Sequence, residues 1–218
     1  MAQIFHPVTN VISRLSIIGV VVALPVIAAG WYAWNESYGI DLHVPLEQPV
    51  EFSHKHHVAD DGIDCRYCHT SVEKSSFAGI PPTETCMTCH SQIWPDSPLL
   101  APVRESFADN KPLHWTRVHD LPDFVYFNHS IHLKKGIGCE SCHGRIDTMP
   151  ITWKQNTLTM RWCINCHRDP SKFIRPREHI TEMGYIPPHP QSDEGPRLME
   201  EYKVLGPYQL TNCSTCHR

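Results

Sequence analysis

The sequence predicts a mostly irregular, small-α fold: short helices and loops behind one N-terminal transmembrane helix. Three observations predict it. All ten cysteines of the 218-residue chain fall in five copies of one short pattern. Nineteen prolines and eleven glycines are scattered through the chain, too many breaks for long bundles or regular sheets. After the first 34 residues no apolar run is long enough for a large hydrophobic core, so the remainder must organise around disulfides, metals or cofactors. The net charge is -4 and the pI is near 6.4, which excludes the basic footprint of a nucleic-acid binder.

Residues 1–14 are expected on the cytoplasmic side. Residues 15–34 read LSIIGVVVALPVIAAGWYAW, 20 residues without a charge, long enough to cross a bilayer core. Arg14 stands at the inner edge, and Trp31, Tyr32 and Trp34 stand at the exit, where aromatic rings favour the interface. Pro25 lies mid-span, and neighbouring helices of a partner would satisfy the carbonyl it frees. The rival reading is a cleaved signal peptide with Ala28-Ala29-Gly30 as the cleavage site. The segment is expected to stay as a single-pass anchor in the cell inner membrane. Either reading exports residues 35–218 to the oxidising, periplasmic side.

The cysteine pattern is Cys65-Arg66-Tyr67-Cys68-His69, then Cys86-Met87-Thr88-Cys89-His90, Cys139-Glu140-Ser141-Cys142-His143, Cys163-Ile164-Asn165-Cys166-His167 and Cys213-Ser214-Thr215-Cys216-His217. With this chain's Cys and His content, about 0.03 matches are expected by chance. The spacing has a chemical reason. Two thiols form thioethers to the two vinyl groups of one haem, two intervening residues set their separation, and the adjoining His becomes the iron's proximal ligand. Zinc sites or disulfides do not require a His directly after each second Cys. The sequence therefore predicts a multihaem cytochrome c with five covalently attached haems c, one per about 37 exported residues, stacked as the core under a thin polypeptide wrapping.

Phe52-Ser53-His54-Lys55-His56-His57 precedes the first motif, and Phe127-Asn128-His129-Ser130-Ile131-His132 precedes the third. Both read Phe-x-His-x-x-His, and a second haem motif follows each first one. This is a repeated dihaem unit. The division that follows is a linker at 35–51, a first dihaem module at 52–116, a second at 117–168, and a Pro-rich wrap with the fifth haem at 169–218. His at i and i+3 share one helical face but can address two irons, one just downstream and one neighbouring, which holds two haems close together. His54, His57, His129 and His132 are thus the distal-ligand candidates. For a fifth, His119 ranks first and Met149, the thioether option that raises the potential, ranks second. The fifth haem's distal ligand is expected from upstream or from another subunit. His56 is expected to face solvent, and a short helix is expected at 197–205.

The stretch from Arg117 through His119-Asp120-Leu121-Pro122-Asp123-Phe124-Val125-Tyr126-Phe127-Asn128 to His129, with Gly138-Cys139-Glu140-Ser141-Cys142-His143-Gly144 and Leu158-Thr159-Met160-Arg161-Trp162-Cys163-Ile164-Asn165-Cys166-His167-Arg168, resembles the cytochromes that accompany membrane molybdopterin-type oxidoreductases. With five motifs and one anchor, the nearest match is the pentahaem cytochrome c subunit of alternative complex III. The resemblance implies a relay. Quinol, usually menaquinol, is oxidised in an integral quinol-binding subunit. Electrons cross an iron-sulfur, molybdopterin-like subunit to the haems and leave to a periplasmic cytochrome c, a copper protein or an oxidase. It also implies mainly bis-His ligation, with room for one His/Met haem.

Two other functions compete. A self-sufficient membrane-anchored quinol dehydrogenase would place a weakly ligated haem at the membrane surface, but here the first Cys lies 31 residues past Trp34. A catalytic multihaem enzyme would keep one iron open, often with an unusual proximal ligand, but all five motifs end in His. No spare catalytic constellation accompanies the motifs, which favours an electron relay without catalytic residues of its own.

Overall fold

The computed structural model describes residues 5–37 and 41–217, with the side chains of 35–37 left aside. It divides into two compact units, residues 1–42 and residues 43–218.

The first unit is one helix, α1 (Val8–Ser37). Within it, Val8–Trp34 is 27 residues long and apolar enough to cross a membrane, about 40 Å at 1.5 Å per residue. The helix starts seven residues before the expected Leu15. The hydroxyls there stay satisfied inside it: Thr9 donates to the His6 carbonyl at 2.7 Å and Ser16 to the Ser13 carbonyl at 2.9 Å, so polar side chains do not end the helix. Pro25 lies inside the helix without interrupting it. The apolar side chains of the span are exposed all round, a character that a membrane anchor and a signal sequence share.

The second unit holds short helices and loops, with no strand among the described residues and one isolated bridge between Ile137 and Ile174. Every cysteine pair is wound into a helix: α2 (Cys65–Cys68), α3 (Thr83–His90), α6 (Cys139–His143), α7 (Met160–Arg168) and α10 (Cys213–Cys216). Between them lie α4 (Ala101–Asp109), α5 (His129–Lys134), α8 (Gln191–Glu201) and α9 (Pro207–Leu210). Two of the motif helices, α2 and α10, begin where the sequence supplies a side-chain cap. The Asp64 carboxylate accepts from the Arg66 N–H at 2.8 Å and the Asn212 side chain from the Ser214 N–H at 3.0 Å, satisfying donors that a helix start leaves free.

The helix expected at 197–205 is α8, which begins six residues earlier and ends at Glu201. Asp193 and Glu194 in its first turn suit the positive end of the helix. Lys203 takes a left-handed φ of 50°, which stops the helix short of Leu205. Gly195 lets α8 lie against the turn at 170–172, because a Cβ there would collide with the Ser171 carbonyl. Gly195→Ala is expected to destabilise this segment by about 2 kcal/mol, measured by chemical denaturation.

The polypeptide's own apolar core is small. Val72, Leu133 and Ile180 form one buried cluster, and Ile174, Leu198 and Tyr202 form the other. Two clusters of this size cannot organise a unit of this length alone.

Candidate cofactor site

The two Phe-x-His-x-x-His segments fold alike around their phenylalanines. Phe52 meets His54 edge-on with ring centres 4.9 Å apart and stacks on His57 at 4.4 Å. Phe127 meets His129 edge-on at 4.7 Å and stacks on His132 at 4.6 Å. In both, the second His closes back one turn: His57 Nδ1 lies 2.9 Å from the Ser53 carbonyl and His132 Nδ1 lies 2.7 Å from the Asn128 carbonyl. The backbones differ, since His129 opens an α-helix whereas Lys55–Asp60 is a π-helix. The wedge-like phenylalanine therefore preserves the geometry of the pair through a change of helix type. Phe127→Ala is expected to cost about 2 kcal/mol and to loosen both rings, read as broadened ligand-field signals in electron paramagnetic resonance.

Four of the five motif histidines are oriented by the same device. Nδ1 faces a main-chain carbonyl in His69 (Gly79, 2.7 Å), His90 (Ile93, 3.1 Å), His167 (Leu210, 3.0 Å) and His217 (Phe124, 2.9 Å). His129 Nδ1 faces the Ser76 carbonyl at 2.9 Å. A carbonyl only accepts, so each Nδ1 carries the proton and each Nε2 keeps its lone pair. Metal-binding imidazoles need this tautomer, and the carbonyl fixes the ring's orientation. His54 is held instead by the Thr152 hydroxyl at 2.9 Å.

Ring separations test whether a haem iron fits. Two metal–imidazole bonds of about 2 Å in line, with about 1 Å more to each ring centre, place the centres about 6 Å apart. His57 and His90 lie 6.1 Å apart, His132 and His167 6.1 Å, and His129 and His143 6.4 Å. Each pair joins a distal candidate to a motif histidine, and the residues fit the group. The ten thiols are free, as thioether formation requires.

His54, His119, His129 and His143 gather with His69 around the first and third motifs, and each of those four is held below the ordinary histidine value. Burial lowers His54 to about 4, with His69 next as a cause. Burial lowers His119 to about 4 and His143 to about 3. Burial lowers His129 as well. Neutral imidazoles are the form that binds a metal. His119 Nε2 is buried with no hydrogen-bond partner, the mark of an atom made for a ligand. Its ring lies 4.3 Å from that of His143, too close for an iron between them in this arrangement. Met149 is 1 % exposed, and its carbonyl accepts from the Lys55 N–H at 3.0 Å. Both fifth-ligand candidates thus sit by the first and third motifs, while His217 packs by Phe124 at 5.8 Å. His56 is exposed, as expected, between Asp60 and Asp61.

Comparison with known proteins agrees with this chemistry. Residues 125–218 match the family of cytochrome c7 and related cytochromes c. Residues 36–99 match the class III cytochrome c family. The fold class is that of a multihaem cytochrome c. Such families carry covalently attached haem c, and the two matches between them cover every cysteine pair. A protein of Nitratidesulfovibrio vulgaris, the multihaem cytochrome c subunit of a menaquinone reductase, is 40% identical over 127 residues, which is 58% of this chain and 56% of that one. The chain therefore spans little more than half the length of that relative.

Sequence reasoning singled out these histidines but not the parts that aim them. Thr152, Ser76, Gly79 and Leu210 act through one hydroxyl or main-chain carbonyls, which carry no residue signature. Phe52 and Phe127 had one, the Phe that opens both copies of the repeat.

Proposed function

We propose that this chain is the electron-relay subunit of a membrane oxidoreductase complex. Five c-type haems would carry electrons between a quinone-reactive integral subunit and an extracytoplasmic partner. When bound, haem supplies one-electron redox chemistry at iron. The chain's own residues fix the rings, shield them from water and hold imidazoles neutral. The observation that carries this reading is the set of three His–His pairs at 6.1, 6.1 and 6.4 Å. That spacing suits irons ligated on both faces, which exchange electrons and leave no position for substrate.

The ligand assignment proposed here gives His57 with His90, His129 with His143 and His132 with His167. His54 serves His69, and the fifth haem takes its distal ligand from elsewhere in the chain or from another subunit, because His119 and Met149 sit by the first and third motifs. By resemblance to alternative complex III, electrons run from quinol through an iron-sulfur, molybdopterin-like subunit to a periplasmic cytochrome c, copper protein or oxidase. The relative from a menaquinone reductase supports a second reading, in which the same relay feeds electrons towards the quinone pool. A haem wire runs either way, and the potentials at its ends decide. The anchor in the inner membrane and the periplasmic position of residues 35–218 belong to the same proposal.

The test is a redox titration of the purified full chain with optical and paramagnetic detection, beside its mass. Five low-spin haems support the relay. A haem that is five-coordinate in the oxidised chain, or nitrite turnover, overturns it. Quinol oxidation by the chain without partners would make it a self-sufficient dehydrogenase.

A further inference from the structure

We infer that the five haems stand in the spatial order second, first, third, fourth, fifth, so that the haems of Cys86/Cys89 and Cys213/Cys216 are the ends of the wire. The inference rests on the five-haem relay reading and adds an order to it. Four junctions carry it.

The first and second motifs meet directly. Thr88 donates its hydroxyl to the Thr85 carbonyl, so the Tyr67 hydroxyl donates to Thr88 across 3.1 Å. Tyr67 lies between the cysteines of the first motif and Thr88 between those of the second.

The first and third motifs share a bracket made of two consecutive residues. The Ile180 carbonyl accepts from the Cys139 N–H at 2.9 Å, and the Thr181 hydroxyl donates to Asp64, the cap of the first motif, at 2.9 Å. The modules also clasp each other: His54 of the first is held by Thr152 of the second, and His129 of the second by Ser76 of the first. The buried side chains Val72, Leu133 and Ile180 pack together from the same three segments.

The third and fourth motifs are joined through Asn156, which precedes α7 and donates to the Cys142 carbonyl at 2.9 Å. The fourth and fifth are joined through α9. The Leu210 carbonyl holds His167, and the neighbouring Gln209 carbonyl accepts from Thr215 of the fifth motif at 2.8 Å.

Exposure marks the same two ends independently. Cys89 and Cys213 are exposed, and the other eight motif cysteines are partly buried. The order departs from chain order at one place, because the reciprocal clasp binds the modules through their first haems and leaves the second motif outboard. Electrons entering at one end must then pass the first, third and fourth haems to leave at the other.

An iron-resolved structure of the full haem-loaded chain, by anomalous diffraction or electron cryomicroscopy, tests this. The expected result is a chain of irons in which the first haem neighbours the second and the third, and the second and fifth irons are the most distant pair. Five irons in another order overturn the inference and leave the relay reading intact. Fewer than five irons overturn the relay reading, and the order falls with it.

Discussion

A His132→Ala chain is expected to keep all five haems and to convert one of them from low-spin to high-spin. Attachment of the fourth haem runs through Cys163, Cys166 and His167, none of which the substitution touches, so mass and total haem absorbance stay unchanged. What it removes is the ring facing His167 at 6.1 Å, fixed by the Asn128 carbonyl at 2.7 Å and by the stacked Phe127. No neighbouring side chain is aimed to replace it: His129, one helical turn earlier, lies 6.4 Å from His143 and is tied to Ser76. Paramagnetic resonance of the oxidised chain reads the change directly. His132→Met is expected to restore low spin and raise that haem's potential, within the roughly 0.8 V range that axial ligands span. The control is His56→Ala. His56 is exposed beside Asp60 and Asp61, and its loss leaves every haem low-spin. If His132→Ala left all five haems low-spin, the pairing of His132 with His167 would be wrong.

The comparison of His132 with His119 shows how much of the site the sequence held. The two Phe-x-His-x-x-His copies mark His54, His57, His129 and His132 because a repeat is a pattern that chance does not supply. Their ring contacts with Phe52 and Phe127 then repeat from one copy to the other, although the helix type differs. His119 has no second copy, and only the fold reveals its buried, unpartnered Nε2 beside His143. The fold class was legible from cysteine spacing and proline content, since a core made of covalent cofactors leaves little apolar periodicity to read. The limits of α8 were not legible, because Lys203 in a left-handed conformation and Gly195 against Ser171 are decided by packing. The contacts between the two modules were not legible for the same reason. The ties from Thr152 to His54 and from Ser76 to His129 cross the modules and are invisible until the chain is folded.

Acid is expected to dismantle the site from its centre. His54, His119 and His143 are neutral in the folded chain, held at about 4, about 4 and about 3 by burial first and by neighbouring positive charge second. In the unfolded chain each would titrate near 6.5. Above that value both states are neutral, and the burial of these rings carries no proton penalty. As the pH falls from 6.5 the unfolded chain takes up protons that the folded chain refuses, and stability falls until the folded-state value is passed. For His54 alone the depression from 6.5 to about 4 is worth about 3 kcal/mol. Iron competes with the proton for the same Nε2 lone pair and moves the loss to still lower pH, with the same sign. The low-spin spectrum is therefore expected to be flat from pH 8 to about 5 and to collapse below about 4, with the first and third haems converting before the fourth. His132, which faces the fourth, is also lowered by burial, but the hydrogen bond to the Asn128 carbonyl supports its protonated form, and of the clustered histidines His129 alone adds to its lowering. Thr152→Val should bring the onset to higher pH, because it removes the hydroxyl that orients His54 without adding charge. An acid titration followed at single-haem resolution, for instance by nuclear magnetic resonance of the haem methyl groups, would distinguish this ordered loss from a single global unfolding, which would sink the idea of a vulnerable centre.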